Sequence, residues 1–522
     1  MVPLERASMA GRVVAQWDKE DCAEVGIIKI DLLGLGMMAV LQDTLELCRQ
    51  RGRPIDLAQL PERDSKTFEL ICRAETIGVF QIESRAQMAI LPRMKPKTFY
   101  DLVIEIALIR PGPIQGNMVQ SYLKRRAGKE PIKYFDDRLK PVLERTLGIP
   151  LFQEQILKIS MIMAGFSGSE AEALRRAIDF DRNPQRMEDS CTKLRFTMEQ
   201  RGISQETILS IEKAVRSFAV YGFPESHAIS FALLTYASCY IKVHRTAEFY
   251  VSIFNNQPMG FYSPATLVQE AKRQGIQVCA VSVCESEWSC TVETDNCIRL
   301  GFCMVKGLSK KESQQILSER HKTPFHSILD FKQRVKISQK NIRTLARIGA
   351  LNGFVEHRRE GLWQVEAPVR GGDLFEEKNT VHLSPMTDFE RLRADYLGTG
   401  LTTGPHPMQL MRKDLPDVLK ASDLSMAHSG AQVKIGGLVI CRQRPSTANG
   451  CIFISLEDET GIANAIITSE LFDQRRLCIT QERFLAIQGI VQMSEGVVLV
   501  KANKVDNLFQ TPMILPQSHD FR

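Results

Sequence analysis

The stretch Gly26-Ile27-Ile28-Lys29-Ile30-Asp31-Leu32-Leu33-Gly34-Leu35-Gly36 constrains the fold more than any other part of the chain. Apolar residues on both sides of a single Lys and a single Asp predict a buried strand over 26–33, and ionised side chains are seldom buried there without partners. Side chains two apart in a strand share a face, so Lys29 and Asp31 address one site. Two readings stand: a structural Lys-Asp pair at a sheet edge, or a metal-ligand carboxylate beside a phosphate-binding cation. The second requires further carboxylates elsewhere, because one cannot hold two divalent metals.

A chain of 522 residues makes about three or more domains, each able to bury its own core. With 44% hydrophobic and 25% charged residues it reads as an ordinary globular protein. No apolar run reaches 18 residues and Met1-Val2-Pro3-Leu4-Glu5-Arg6 has no signal-peptide character, so the expectation is a cytoplasmic protein without a membrane partner. The thirteen Cys fit free thiols in a reducing compartment. Cys279, Cys284, Cys290, Cys297 and Cys303 fall within 25 residues, but without a C-x-x-C pair or a nearby His they read as small buried hydrophobes rather than a zinc site. Net charge is only +6, yet Arg85–Arg145 holds 13 Lys or Arg against 6 Asp or Glu. Such a stripe fits a polyanion partner, with a solvated basic face as the alternative.

Helical spacing is predicted over Met37–Arg49 and ends at Gly52-Arg53-Pro54, and Asp64-Ser65-Lys66-Thr67 reads as a cap for a helix over Thr67–Cys72. Gly78–Ile82 reads as a strand, and Arg110-Pro111-Gly112-Pro113 as a rigid loop. Helices are expected over Phe152–Ala164, Ala171–Ile178, Ile208–Phe218 and Ser226 to about Tyr250; Ser226-His227 sits in a first turn, where free amides favour anions. Within 298–354, Lys306-Gly307 and Arg347-Ile348-Gly349 mark Gly-containing hairpins between short helices. They are open either to phosphate approach, as in a helix-hairpin-helix unit, or to a role as core helical hairpins. Five strands at 433–440, 451–456, 462–467, 484–492 and 497–505 predict a small OB-type barrel. Its available cations are Arg442, Arg444, Lys501 and Lys504, while Phe453 and Phe484 read equally as stacking or core residues.

Lys29-Ile30-Asp31-Leu32-Leu33-Gly34-Leu35 resembles the palm motif of the C-family DNA polymerases, the alpha subunit of bacterial DNA polymerase III. Gly78-Val79-Phe80-Gln81-Ile82-Glu83-Ser84, Arg110-Pro111-Gly112-Pro113, Leu174-Arg175-Arg176-Ala177 and Ser226-His227-Ala228 follow in that family's order. Gln16-Trp17-Asp18-Lys19-Glu20-Asp21-Cys22, Gly222-Phe223-Pro224-Glu225-Ser226-His227, Arg442-Gln443-Arg444-Pro445 and Leu456-Glu457-Asp458-Glu459-Thr460-Gly461 resemble its error-prone branch.

The resemblance implies a multidomain α+β protein. Its expected parts are a partial palm with the start of the fingers over 1–110, a helical fingers region over 111–297, a helix-hairpin-helix segment over 298–360, a linker over 361–430 and an OB barrel over 431–510. It implies error-prone, repair-associated and translesion DNA synthesis by two-metal phosphoryl transfer with Mg²⁺. Asp31 is then the third palm metal ligand, Lys29, Arg175 and Arg176 bind the incoming triphosphate, and His227 lies against its sugar. Lys306, Gly307, Arg347, Gly349, Arg442 and Arg444 are candidate DNA contacts. Partners implied are primer-template DNA, single-stranded template, deoxynucleoside triphosphates, and a sliding clamp or other repair polymerase proteins. The segment Gly371-Gly372-Asp373-Leu374-Phe375 sits where replicative members carry a clamp peptide, but lacks the leading Gln. The family's Asp-x-Asp pair is not matched, since Asp179-Phe180-Asp181 follows the fingers arginines. The isolated chain is therefore expected not to polymerise, and a non-catalytic DNA-binding accessory protein or inactive fragment is the alternative.

Overall fold

The computed structural model of the chain describes residues 2–8, 11–28, 30, 32–109, 116–179, 184–218, 222–367, 383–444, 450–494, 496–508 and 519–521. A short antiparallel hairpin, β1 (Leu4–Arg6) with β2 (Val13–Ala15), opens it. The strand expected over 26–33 does not form among the described residues: Ile28, Ile30, Leu32 and Leu33 are 84, 73, 64 and 73% exposed. A strand is stable only where a neighbour takes up its backbone N–H and C=O groups, and no described strand lies beside this one. Lys29 and Asp31 lie outside the described residues. Helix α1 (Leu35–Gln50) then buries Met37, Val40, Leu41, Thr44 and Cys48 on one face, as its spacing predicts. Asp64 caps α2 (Ser65–Cys72) by accepting from Thr67 N. Gly78–Ile82 is a turn rather than a strand, with Gly78 at φ +78 and Gln81 at φ +66. Two left-handed residues cannot lie in a pleated strand, and the buried Glu83 carboxylate fixes the turn by accepting from Gly78 N at 3.0 Å.

Helix α3 (Phe99–Leu108) is buried on every side from Asp101 onward. Four helices, α4 (Gln153–Ala164), α5 (Gly168–Asp179), α6 (Pro184–Gln200) and α7 (Gln205–Phe218), close around Ile156, Leu174, Leu194, Ile211 and Phe218 as a core of their own. The helix expected from Ser226 to Tyr250 is two, α8 (Glu225–His244) and α9 (Thr246–Asn255). The break at Arg245 (φ −141, ψ 51) swings α9 inward, where Ala247 to Phe254 are all buried. Helix α8 lies against α3, and its Phe231, Ala232, Tyr236 and Cys239 share the α3 core.

After α10 (Pro264–Arg273) comes a three-stranded sheet, β3 (Gln277–Cys279), β4 (Thr291–Thr294) and β5 (Cys297–Arg299), in the order β3-β5-β4. Helices α11 (Lys310–Lys322), α12 (Ile328–Arg334), α13 (Gln339–Arg347), α14 (Arg358–Glu366) and α15 (Asp388–Gly398) follow; α15 lies in the stretch read as a linker, where Asp388–Tyr396 has helical spacing. Strands β6 (Gln432–Gln443), β7 (Ile452–Glu457), β8 (Ile462–Ile467), β9 (Phe484–Ser494) and β10 (Val497–Asn507) pair in the cyclic order β6-β7-β8-β10-β9-β6. This is a closed five-stranded barrel, with α16 (Ser469–Gln481) between β8 and β9 and β11 (His519–Phe521) added to β6. The parallel β8–β10 pair and this order are those of an OB barrel, as the strand spacing predicted. Among the described residues no helix is long and apolar enough to cross a membrane.

Candidate nucleotide and DNA-binding site

The fingers arginines stand side by side on α5. Arg175 makes a two-pronged pair with Glu172 at 2.9 and 2.7 Å, and Arg176 Nε reaches the same carboxylate at 3.2 Å. The hydrogen bond from Arg175, with that from Arg176, holds the Glu172 carboxyl at about 2, so one of the two positive charges is offset within the helix. Arg176 is the more outward, with its side chain 75% exposed. His227 lies in the first turn of α8, its ring between Phe223 (5.1 Å) and Phe231 (4.2 Å). The anion-attracting end of that helix already meets a carboxylate, since Glu225 N donates to Glu154 Oε2 at 2.9 Å. Glu225 in turn accepts from Tyr100 Oη at 2.6 Å, and Arg145 sits over the Tyr100 ring at 5.0 Å. The segments carrying these groups are tied by Gln153 N donating to the Phe223 carbonyl at 3.0 Å.

The basic stretch sorts by side-chain type. Arg126 donates to Asp101 and to the carbonyls of Met94 and Lys95, Arg125 to Glu130 and the Leu147 carbonyl, Arg138 to Asp136 and Arg93 to Gln120. All six lysines, Lys95, Lys97, Lys124, Lys129, Lys133 and Lys140, are exposed. The guanidinium fork suits bonding to several fixed acceptors at once, whereas an ammonium on a flexible stem stays hydrated. The outward field of this segment is therefore made mainly by lysine.

In the helix-hairpin-helix segment, Lys306 and Gly307 are exposed at the turn before α11. Lys306 Nζ donates to the Tyr396 carbonyl at 2.9 Å, and Asn341 Nδ2 to that of Gly307 at 3.1 Å. Ser309 and Glu312 form a capping box, and Asn341 Nδ2 also reaches Glu312, so the turn is rigidly held. A methyl group on Gly307 would meet Asn341 Oδ1 only at ordinary contact, 3.5 Å; its φ of +86 alone calls for glycine. Gly349 differs, since a Cβ there would lie 2.7 Å from Arg358 Nε, on the path by which Arg358 reaches Asp395. Arg347 beside it is exposed.

On the barrel, Arg442 is part-buried and donates to the carbonyls of Ile479 and Glu482, while the exposed Arg444 stacks over Phe472 at 4.8 Å. Phe484 belongs to the core, whereas Phe453 is half-buried in a cross-strand row, Gln443-Phe453-Ile466-Lys501-Ile490. Lys504 is paired with Asp506 at 2.8 Å. The barrel joins the rest of the chain through a buried charged seam invisible in sequence. Arg273 on α10 bonds Glu270 at 3.1 Å and barrel Glu457 at 3.2 Å, and Lys242 reaches Glu270 at 3.3 Å. Burial raises both carboxyls, but Lys242 and Arg273 outweigh it at Glu270 and hold that group below its usual range, while Glu457 stays raised. His406, beside the seam, is driven down to about 3 by burial and by Arg273, Lys272 and Arg412, so it is neutral. Among the described residues no carboxylate trio converges as a Mg²⁺ pair needs, and the metal-capable group there is Cys279, Glu293 and Cys297.

Residues 37–202 match the finger domain of the bacterial DNA polymerase III alpha subunit, and 275–361 match a helix-hairpin-helix motif. The chain is 40% identical over 518 residues to the error-prone DNA polymerase of Alkalilimnicola ehrlichii, covering 97% of this chain and 50% of that one. It is 40% identical to the error-prone DNA polymerase of Pseudomonas aeruginosa (98% and 51% covered) and 42% identical to that of Anaeromyxobacter sp. strain K (100% and 48%). The chain thus spans about half the length of the curated relatives it matches.

Proposed function

Since the chain belongs to the bacterial DNA polymerase III alpha-subunit family, on its error-prone side, we propose that it forms the DNA- and nucleotide-holding half of a DNA-directed DNA polymerase that acts in damage-associated synthesis in the cytoplasm. The observation that carries this reading is similarity along nearly the whole chain to proteins named error-prone DNA polymerases. In it, Arg176, with Arg175 behind it, neutralises the incoming triphosphate, and His227, stiffened between two phenylalanine rings, sets the edge of the sugar site. The exposed lysines of 95–140, the Lys306-Gly307 turn and the Phe453–Lys501 row hold the template and primer by backbone and stacking, leaving sequence to base pairing. The domain limits proposed are palm-related to 110, fingers to 297, hairpin segment to 360, linker to 430 and barrel to 510.

The family implies a divalent metal, with Asp31 and Lys29 as the proposed contributors from this chain. The described residues alone do not build that site. The outward lysines and the closed barrel also support a second reading, a DNA-binding accessory protein without chemistry of its own. Fluorescence anisotropy with primed DNA across a salt series, run beside primer extension with Mg²⁺ and deoxynucleotides, tests both. Binding that weakens steeply with salt supports the DNA-holding role, and absence of binding at low salt overturns both readings. Extension abolished by Asp31→Asn selects the polymerase, whereas tight binding without extension selects the accessory role for this chain.

A further inference from the structure

The three-stranded sheet ahead of the hairpin segment has one face in the core, through Val278 and Ile298, and one face turned outward. Residues two apart share a strand face, so Cys279, Cys297 and Arg299 all lie on the outward side. Glu293 lies on the same side, because it is two residues from Thr291, which stands opposite Arg299; the β4–β5 register shifts beside it, between Val292 and Thr294. The result is a cluster from three strands: Cys279 Sγ to Cys297 Sγ is 3.5 Å, Cys297 Sγ to Glu293 Oε2 is 3.5 Å, and all three donor atoms lie within 4.8 Å of one another. Arg299 donates to Glu293 Oε1 and is itself held by Glu285 and the Ala280 carbonyl, which leaves Oε2 turned toward the sulfurs.

We propose that Cys279, Cys297 and Glu293 form a binding site for a soft divalent cation of the zinc class, with the fourth position open to water. Two sulfurs each about 2.3 Å from a tetrahedral zinc stand about 3.8 Å apart, and a sulfur and a carboxylate oxygen about 3.6 Å apart. The Cys279–Cys297 and Cys297–Glu293 spacings need only small adjustment to reach those values. A disulfide would require the sulfurs to close to about 2.05 Å, a much larger movement across a paired sheet. Two thiolates and a carboxylate carry three negative charges; the cation offsets two and the Arg299 guanidinium lies against the third. The ion clips β3 and β4 to β5 at the entrance to the hairpin segment.

The test is anaerobic titration of the reduced, metal-free chain with Co²⁺ and then Zn²⁺. One equivalent of Co²⁺ should bind with a thiolate charge-transfer absorption and be displaced by Zn²⁺. The Cys279→Ser plus Cys297→Ser variant should lose it, Glu293→Gln should weaken it at least tenfold, and Cys284→Ser should keep it. In the unaltered chain, Zn²⁺ should protect Cys279 and Cys297 selectively from alkylation, a readout that needs no variant to fold. No charge-transfer band, a band that survives the double Ser variant, alkylation unaffected by Zn²⁺, or a Cys279–Cys297 disulfide trapped in freshly isolated protein would each overturn the site.

Discussion

Replacing Glu105 by Gln should make the α3 core markedly more stable at alkaline pH and leave it nearly unchanged at acidic pH. Glu105 is fully buried in α3, and neither carboxyl oxygen has a hydrogen-bond partner among the described residues. Burial pushes its carboxyl up from 4.5 to about 8. Between those two values the folded protein holds a proton that the unfolded chain has released, so stability falls as pH rises through that window. At about 1.4 kcal/mol per pH unit, the full loss is about 5 kcal/mol once pH passes 8. Gln has the same shape and no proton to lose, so its cost does not vary with pH. Glu83, pushed by burial to about 7 despite accepting from two backbone amides, adds a similar fall in both proteins and cancels in their difference. Because a chain of several domains has no single unfolding free energy, the assay is hydrogen exchange of the 99–108 amides from pH 5 to 8.5, normalised for intrinsic rates. The Gln variant should match the parent at pH 5 and gain several kcal/mol in local opening free energy at pH 8.5. Parallel curves over the whole range would refute a buried, unpartnered carboxyl at this position.

Arg273→Met should leave Glu457 buried without its partner and cost about 3–5 kcal/mol, seen in calorimetry as the barrel unfolding earlier. Adding Glu457→Leu should recover much of that, and a single variant that melts like the parent would show the seam is not what docks the barrel. Gly307→Ala and Gly349→Ala both place a side chain in the left-handed region at about 1–2 kcal/mol, but only the second drives a Cβ into Arg358. Urea unfolding should show the larger loss at Gly349, and equal losses would contradict the packing described. Ile28→Lys with Leu33→Lys should reduce self-association in light scattering without lowering the melting temperature, because both side chains are exposed. A drop in melting temperature would place them in a core after all.

Elements that bury a face against their own near neighbours were legible. Strand β8 alternates along its length, the β7–β8 turn is short, and the five strands close on one another; α1 and its Gly52 stop, and the Asp64 cap, are written within one or two turns of sequence. What depends on a distant partner was not. The apolar run at 26–33 reads as a strand, yet apolar composition says nothing about which backbone would pair with it. The Cys279-Glu293-Cys297 group has no ligand spacing to recognise because each member comes from a different strand. Arg273 and Glu457 are 184 residues apart. Gly349 reads equally as an approach to phosphate or as part of a core hairpin, and nothing near it in sequence shows that the side chain of Arg358 crosses beside it.

Charge shows the same limit, and in a form that can be measured. Counting gives 13 cations in Arg85–Arg145, and if each released one counterion the salt slope of DNA binding would approach about −12. The structure turns Arg93, Arg125, Arg126 and Arg138 onto protein acceptors and leaves six lysines outward, so those lysines should contribute a slope of about −5. Replacing Lys95, Lys97, Lys124, Lys129, Lys133 and Lys140 by Gln should flatten the slope by up to that amount with little change in stability. Replacing Arg126 by Gln should instead destabilise α3 and the carbonyls it bridges, with the slope almost unaltered. A slope that follows the arginines rather than the lysines would mean that those guanidinium groups leave their internal partners when DNA arrives.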